Sequence, residues 1–260
     1  MARKGRRCGW GRKCILPRRA SDLAPQLITH VETTPAPLSD EGVLCAVHTD
    51  LAEKDLLPDH HLVDAGYVTS ANLIKAQSGY GVDLVGPTLK THWYQAETGY
   101  DLTHFGIDWE AETVTCPQGR ISSSWTPVQD AGKSLIKVKF SQSDCKVCPC
   151  RASCTGTTRR TLTLHPKEQM QALFAARKRE GTEEFKDTYR HRAGIEGIHS
   201  QAVRAMGLRR SRYIGLRKTH LGHVAVAAAV TLIQLMSWLR GEAPEQTRTS
   251  AFKRVMKQAA

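Results

Sequence analysis

Between residues 25 and 87 short β-branched or apolar runs alternate with amphipathic ones, and this alternation restricts the fold more than any other feature. "PQLITHVETTPA" (25–36) is rich in β-branched residues and ends in a Pro-containing turn, which predicts a strand across about 27–33. "LSDEGVLCAVHTDLAEKDLLP" (38–58) sets Val43, Leu44, Val47, Leu51 and Leu56 at helical spacing, with Ser39 as N-cap and Pro58 as stop. In "HHLVDAGYVTSANLIKA" an apolar strand ends at Asp64, a Gly turn follows, and a second helix starts near Thr69 or Ser70. "GVDLVGP" (81–87) supplies the next strand. Strand, helix, strand, helix, strand in this order argues for an α/β sheet with helices on its faces.

From about 90 the texture changes. Trp93, Trp109, Trp125, the alternating "LIKVKF" (135–140) and the closely spaced cysteines predict a β-rich segment over 90–165. From 166 the chain reads as helical in three pieces: "PKEQMQALFAARKRE" with Pro166 at its first position, then roughly 183–206, then roughly 217–240. The organisation is therefore a basic arm (1–22), a first α/β part (23–89), the β-rich segment (90–165), a helical part (166–243) and a polar tail (244–260).

The arm holds eight Lys or Arg and no acid before residue 21, and the whole chain carries a formal charge of +12, which favours polyanionic partners such as nucleic acid. The N-terminus has charge but no apolar run behind it, so no signal peptide is expected. The most apolar stretch (221–239) is interrupted by His223, Thr231, Gln234 and Ser237, and reads as a buried helix rather than a membrane span. A cytoplasmic protein is expected, and in that reducing setting the eight cysteines point to metal rather than to disulfides. Cys145 and Cys148 form a C-x2-C knuckle, Cys154 follows, and Cys116 lies upstream. Four thiolates of this kind would close a structural Zn2+ site, with Cys150 as a substitute ligand and reduced, partly buried thiols as the competing reading.

Two stretches carry candidate catalytic chemistry. Asp64 sits at the end of an apolar strand and before Gly66, where open α/β sheets place ligands, although a turn-forming Asp has the same appearance. In "YRHRAGIEGIHSQ" Tyr189, Arg192 and Glu196 fall at i, i+3 and i+7, on one face of a continuous helix. A plain Arg192–Glu196 ion pair would explain that spacing, but Gly194 and Gly197 each cost a helix about 1 kcal/mol and suggest close approach of a ligand or backbone. Beyond them, "GLRRSRYIGLRKTH" (207–220) concentrates Arg209, Arg210, Arg212, Arg217 and Lys218 around Tyr213, which suits phosphate contact, with a merely solvated face as the competing reading.

Together, "HLVDAGY" and the Y-x2-R-x3-E of Tyr189, Arg192 and Glu196 resemble the second Asp and the Glu signature of bacterial insertion-sequence transposases of the DDE class. The likeness is to the branch with a cysteine-containing insertion, and it extends in order from about 24 to 255. It implies an RNase H-like mixed sheet with flanking helices, interrupted by the cysteine-bearing insertion. It also implies two Mg2+ ions held by Asp64, Glu196 and a further Asp, with Tyr189 and Arg192 orienting the site or touching DNA. The expected activity is Mg2+-dependent DNA strand cleavage and transfer at element ends by a homo-oligomer on DNA. Relatives often carry a Lys seven residues after the Glu; here that position is Val203, followed by Arg204. The first Asp belongs on a strand ahead of "LITHVETTPA". Asp22 is the nearest candidate, but Pro17 argues against a central strand there and an ordinary loop Asp is the competing reading. An N-terminally truncated chain, inactive and only binding DNA, is the alternative expectation.

Overall fold

The computed structural model describes residues 9–11, 27–35, 40–89 and 98–242. Side chains are described within these ranges except at 9–11, 40–41 and 193–196. Asp22, Cys8, Cys14, Trp93, the bulk of the basic arm and the polar tail therefore lie outside the described residues. The chain divides into two compact units, the first drawing on residues up to Tyr67, on Ala76–Gly86 and on residues from Glu183, the second on Val68–Lys75 and Pro87–Thr182.

In the first unit, strand β1 (Gly9–Gly11) pairs antiparallel with β2 (Glu32–Thr34), Trp10 opposite Thr33. This short piece of the basic arm is thus a strand, a result its side-chain pattern gave no sign of, because ladder hydrogen bonds come from the backbone. The strand expected over 27–33 is extended chain that joins a ladder only at Glu32. Helix α1 (Asp40–Glu53) follows. Val43, Val47 and Leu51 are buried together, as their spacing predicts, but Leu56 is exposed and Leu57 packs in its place. The helix stops at Glu53, and Asp55 adopts a positive φ of 54°, which re-aims the chain before the expected stop at Pro58.

β3 (His60–Leu62) then pairs parallel with β4 (Asp83–Val85), His61 opposite Leu84. Helix α2 (Ser70–Tyr80) supplies the crossover that a parallel pair needs. Two buried imidazoles meet here: His48 Nε2 and His61 Nδ1 are hydrogen-bonded at 3.0 Å.

The helical end expected as one piece over 183–206 is two, α6 (Glu183–Arg190) and α7 (Ala193–Ala205), broken at His191 and Arg192. α8 (Leu216–Leu239) completes the unit. Ile198, Ala202, Leu208 and Val230 form a core with Ile28 packed against it. α8 corrects the expectation of a buried helix. Thr219, His223, Ala227 and Val230 make one buried stripe, while Leu221, Leu232, Ile233, Met236 and Leu239 are exposed. By length and composition alone it could cross a membrane, and only 17% of its most apolar window is buried.

The second unit is β-rich. β5 (Gly106–Asp108) pairs with β6 (Thr113–Thr115), and β7 (Ser124–Asp130), β8 (Lys133–Lys139) and β9 (Thr161–Leu164) form an antiparallel sheet in the order β7-β8-β9. The β7–β8 hairpin turns through Ala131 and Gly132, both at positive φ (48° and 77°), the signature of a two-residue type I′ loop. Phe105, Val114, Val138, Phe140, Leu162 and Leu164 fill the core beneath. Short helices α3 (Gln142–Lys146) and α4 (Arg151–Cys154) carry the cysteines, and α5 (Lys167–Glu180) follows with Pro166 as its N-cap, one residue earlier than expected. Among the described residues the strands form four small sheets rather than one continuous mixed sheet. Six of these nine strands have only three residues each, which leaves little edge for further pairing.

A buried polar cluster ties β2 to α8: Thr33 Oγ1 lies 2.8 Å from His223 Nδ1 and 3.1 Å from His220 Nδ1. Burial, and then the neighbouring His220, hold the His223 pKa below the ordinary imidazole value. A lowered folded pKa means that the unfolded chain takes up the proton first. Stability contributed here is complete above about pH 6.5 and falls as pH drops through the lower folded value. Thermal melting of the chain is expected to drop on acidification from pH 7 to 5, and His223→Gln should flatten that dependence.

Candidate functional site

Asp64 lies two residues past β3, at the carboxyl end of the parallel pair. Val63 still donates to Val85 O (2.9 Å), and Tyr67 N then donates to Asp64 O (2.9 Å), closing a single 3-10 turn over Ala65–Tyr67. The ladder therefore fixes the backbone of Asp64 while its side chain stays 31% exposed. A carboxylate held this way at a strand end, accessible yet positioned, is where α/β proteins place ligands.

Its partner is Arg192, whose guanidinium forms an ion pair with Asp64 Oδ1. Arg192 occupies the break between α6 and α7, its N–H donating to Tyr189 O at 3.0 Å. The guanidinium also stands over the Tyr189 ring, 5.8 Å from its centroid, and that ring stacks on buried Phe185 at 5.5 Å. Phe185 thus anchors Tyr189, Tyr189 flanks Arg192, and Arg192 grips Asp64. Arg192 thus reaches an acid 128 residues away in sequence (192 − 64). The single helical face is also corrected: Tyr189 lies in the last turn of one helix and Glu196 in the first turn of the next. Glu196 occupies the fourth position of α7, so its backbone rises only about 6 Å along the helix axis from Arg192; its side chain is outside the described residues.

As a donor set for a hard cation, Asp64 fits: it is an oxygen ligand, partly exposed and held by a ladder. A metal ion there would compete with Arg192 for the same carboxylate. Asp22, the sequence candidate for a third carboxylate, lies outside the described residues.

The basic residues are exposed. Arg209, Arg210 and Arg212 lie on the segment between α7 and α8, and Arg217 and Lys218 on the first turn of α8. Arg204 bonds locally to Ser200 on its own helix. The exposed cations make a charged surface next in sequence to α7, suited to phosphate.

In the second unit Cys116, Cys145, Cys148 and Cys154 line one pocket together with Tyr100 and Arg160. The Cys154 pKa is raised, first by burial, against the lowering by Arg160, and further by the facing thiols of Cys145, Cys116 and Cys148. All four are free thiols, so the donor set suits Zn2+. Cys150 instead hydrogen-bonds Tyr100, raising the phenol's pKa. Among the described residues, however, the side chains whose ligand atoms approach within 4.8 Å of one another are His30, Glu32 and Asp50 in the first unit. The sequence reading missed this group. Its signal was the alternation in "THVE", which puts His30 and Glu32 on one side of extended chain.

Residues 115–236 match a family model described as a transposase DDE domain. The matched stretch takes in Glu196, the four cysteines and the basic run, and it starts after Asp64. The match spans somewhat under half of the chain, and over that stretch the likeness is to a DDE transposase domain. No curated protein and no solved structure gives a match.

Removing the guanidinium tests whether the ion pair builds the site. Arg192→Ala should destabilise the chain by about 1.5–3 kcal/mol, the range for a hydrogen bond to a charged group, in urea denaturation. Arg192→Lys should recover only part of that, because Lys lacks the planar fork.

Proposed function

We propose that this chain is an insertion-sequence transposase that cuts DNA strands at element ends and joins the released 3′ ends to target DNA. The observation that carries the proposal is the Arg192–Asp64 ion pair, which brings the start of the Glu196 helix to the carboxyl end of β3. That Asp64 and Glu196 both belong to the first unit supports this reading.

On this reading Asp64 and Glu196 hold Mg2+, with Asp22 as the candidate third carboxylate. Bound Mg2+ would activate the attacking oxygen and stabilise the leaving one at phosphorus. Arg192, released from Asp64, turns to a DNA phosphate, and Tyr189 keeps it in place. Arg204, Arg209, Arg210, Arg212 and Lys218 bind the backbone on either side. They position the scissile phosphate, and positioning is a large part of catalysis in such displacements. The architecture we propose is RNase H-like, with residues 90–165 as an insertion stapled by Zn2+ on Cys116, Cys145, Cys148 and Cys154. The protein works in the cytoplasm as a homo-oligomer assembled on DNA.

A cleavage assay on DNA bearing an element end, with Mg2+, decides the central point. The unmodified chain should cleave, and Asp64→Asn or Glu196→Gln should lower the rate by about 100-fold or more while DNA binding persists. Replacing Arg209 and Arg210 by Ala should weaken binding and reduce its salt slope by about 0.9 for each phosphate no longer neutralised. If all chains bind DNA and none cleaves, the protein is a DNA-binding remnant. Equal cleavage by all three would remove Asp64 and Glu196 from the reaction.

A further inference from the structure

A second group of metal-ligating side chains sits in the first unit, apart from the residues assigned to DNA cleavage. His30 and Glu32 lie two apart on extended chain entering β2, and Asp50 lies on the last full turn of α1. His30 Nε2 is 3.7 Å from Glu32 Oε2 and 3.9 Å from Asp50 Oδ2. Three ligand atoms, one from each residue, lie within 4.8 Å of one another. Two carboxylates and one imidazole nitrogen converging at such distances form a donor set that a proton on His30 or a metal ion can satisfy. The separations are too long for direct hydrogen bonds to carry the contact.

We propose that His30, Glu32 and Asp50 bind one divalent first-row transition-metal ion, of the Zn2+ or Co2+ type, which clips the β2 segment to α1. The spacing is close to what such an ion imposes. With bonds of about 2.0–2.2 Å, tetrahedral ligand atoms stand about 3.3–3.6 Å apart, so small side-chain adjustments close the site. The imidazole selects against Mg2+, which takes oxygen ligands. Two carboxylates balance the ion's charge, and a water completes the shell. The His30 side chain is only 3% exposed, whereas Glu32 and Asp50 are 27% and 44% exposed, so the ion enters from the carboxylate side. Because its ligands come from two elements, the ion stabilises the folded chain by linkage.

The test is Co2+ titration of the full-length, metal-stripped chain, read by visible absorption and by melting temperature. Asp50→Asn and Glu32→Gln are the variants, chosen because both side chains reach solvent and the folded chain should tolerate them. Cobalt at the cysteines announces itself by thiolate charge-transfer absorption, which a nitrogen and oxygen site lacks. The proposal expects a class of bound Co2+ without thiolate absorption. Each of the two variants should weaken its affinity at least about 10-fold, the cost that even loss of a ligand's hydrogen-bond partner carries, and Asp64→Asn should leave it unchanged. The variants should also lose the corresponding rise in melting temperature. Identical uptake and identical melting shifts in the original chain and both variants would overturn it, as would weakening by Asp64→Asn alone.

Discussion

The candidate site depends on one ion pair. Asp64 sits where the β3–β4 ladder ends, and Arg192 sits where α6 gives way to α7. Asp64 and Arg192 meet across this junction, and the ion pair ties the two segments together. The guanidinium is 13% exposed, so water screens the pair less than it would a surface pair. Loss of either partner would leave a partly desolvated charge. The Phe185–Tyr189 stack behind Arg192 narrows its freedom, which lowers the entropy given up in reaching across to the strand.

The same arrangement has a chemical consequence. An arginine that neutralises a carboxylate in the absence of metal keeps that carboxylate positioned until a stronger cation arrives. The displaced guanidinium is then available to an anion, and the exposed Arg209, Arg210 and Arg212 follow α7 in sequence. In the second unit the logic is different. Four thiols line a pocket on a small β core with six buried residues among those described, and a metal crosslink would support a core of that size.

Much of this was legible in the sequence, for identifiable reasons. The 3.6-residue spacing of Val43, Val47 and Leu51 and the two-residue alternation around Val138 and Phe140 follow from burial on one face, so they survive any tertiary detail. The cysteine cluster was readable because thiols at short spacing have few ways to be arranged. What escaped was set by long-range contact. The break at Arg192 coincides with a partner 128 positions away in sequence (192 − 64), which local periodicity does not reveal. Leu56 and Leu57 exchanged roles because a left-handed residue at Asp55 turned the chain. α8 is apolar on all sides but packs along one stripe, a difference that composition does not encode. His30, Glu32 and Asp50 went unseen since Asp50 joins the other two only through the placement of α1.

The central claim is that Asp64 and Glu196 address one metal ion. Iron-directed backbone cleavage tests it without DNA or turnover: Fe2+ is bound in place of Mg2+, peroxide and ascorbate generate short-lived radicals, and the cut positions are mapped by mass spectrometry. The account predicts cuts clustered around residues 62–66 and around 194–198, both suppressed together by added Mg2+. Cleavage near only one of these segments, or cuts that Mg2+ suppresses independently, would contradict it.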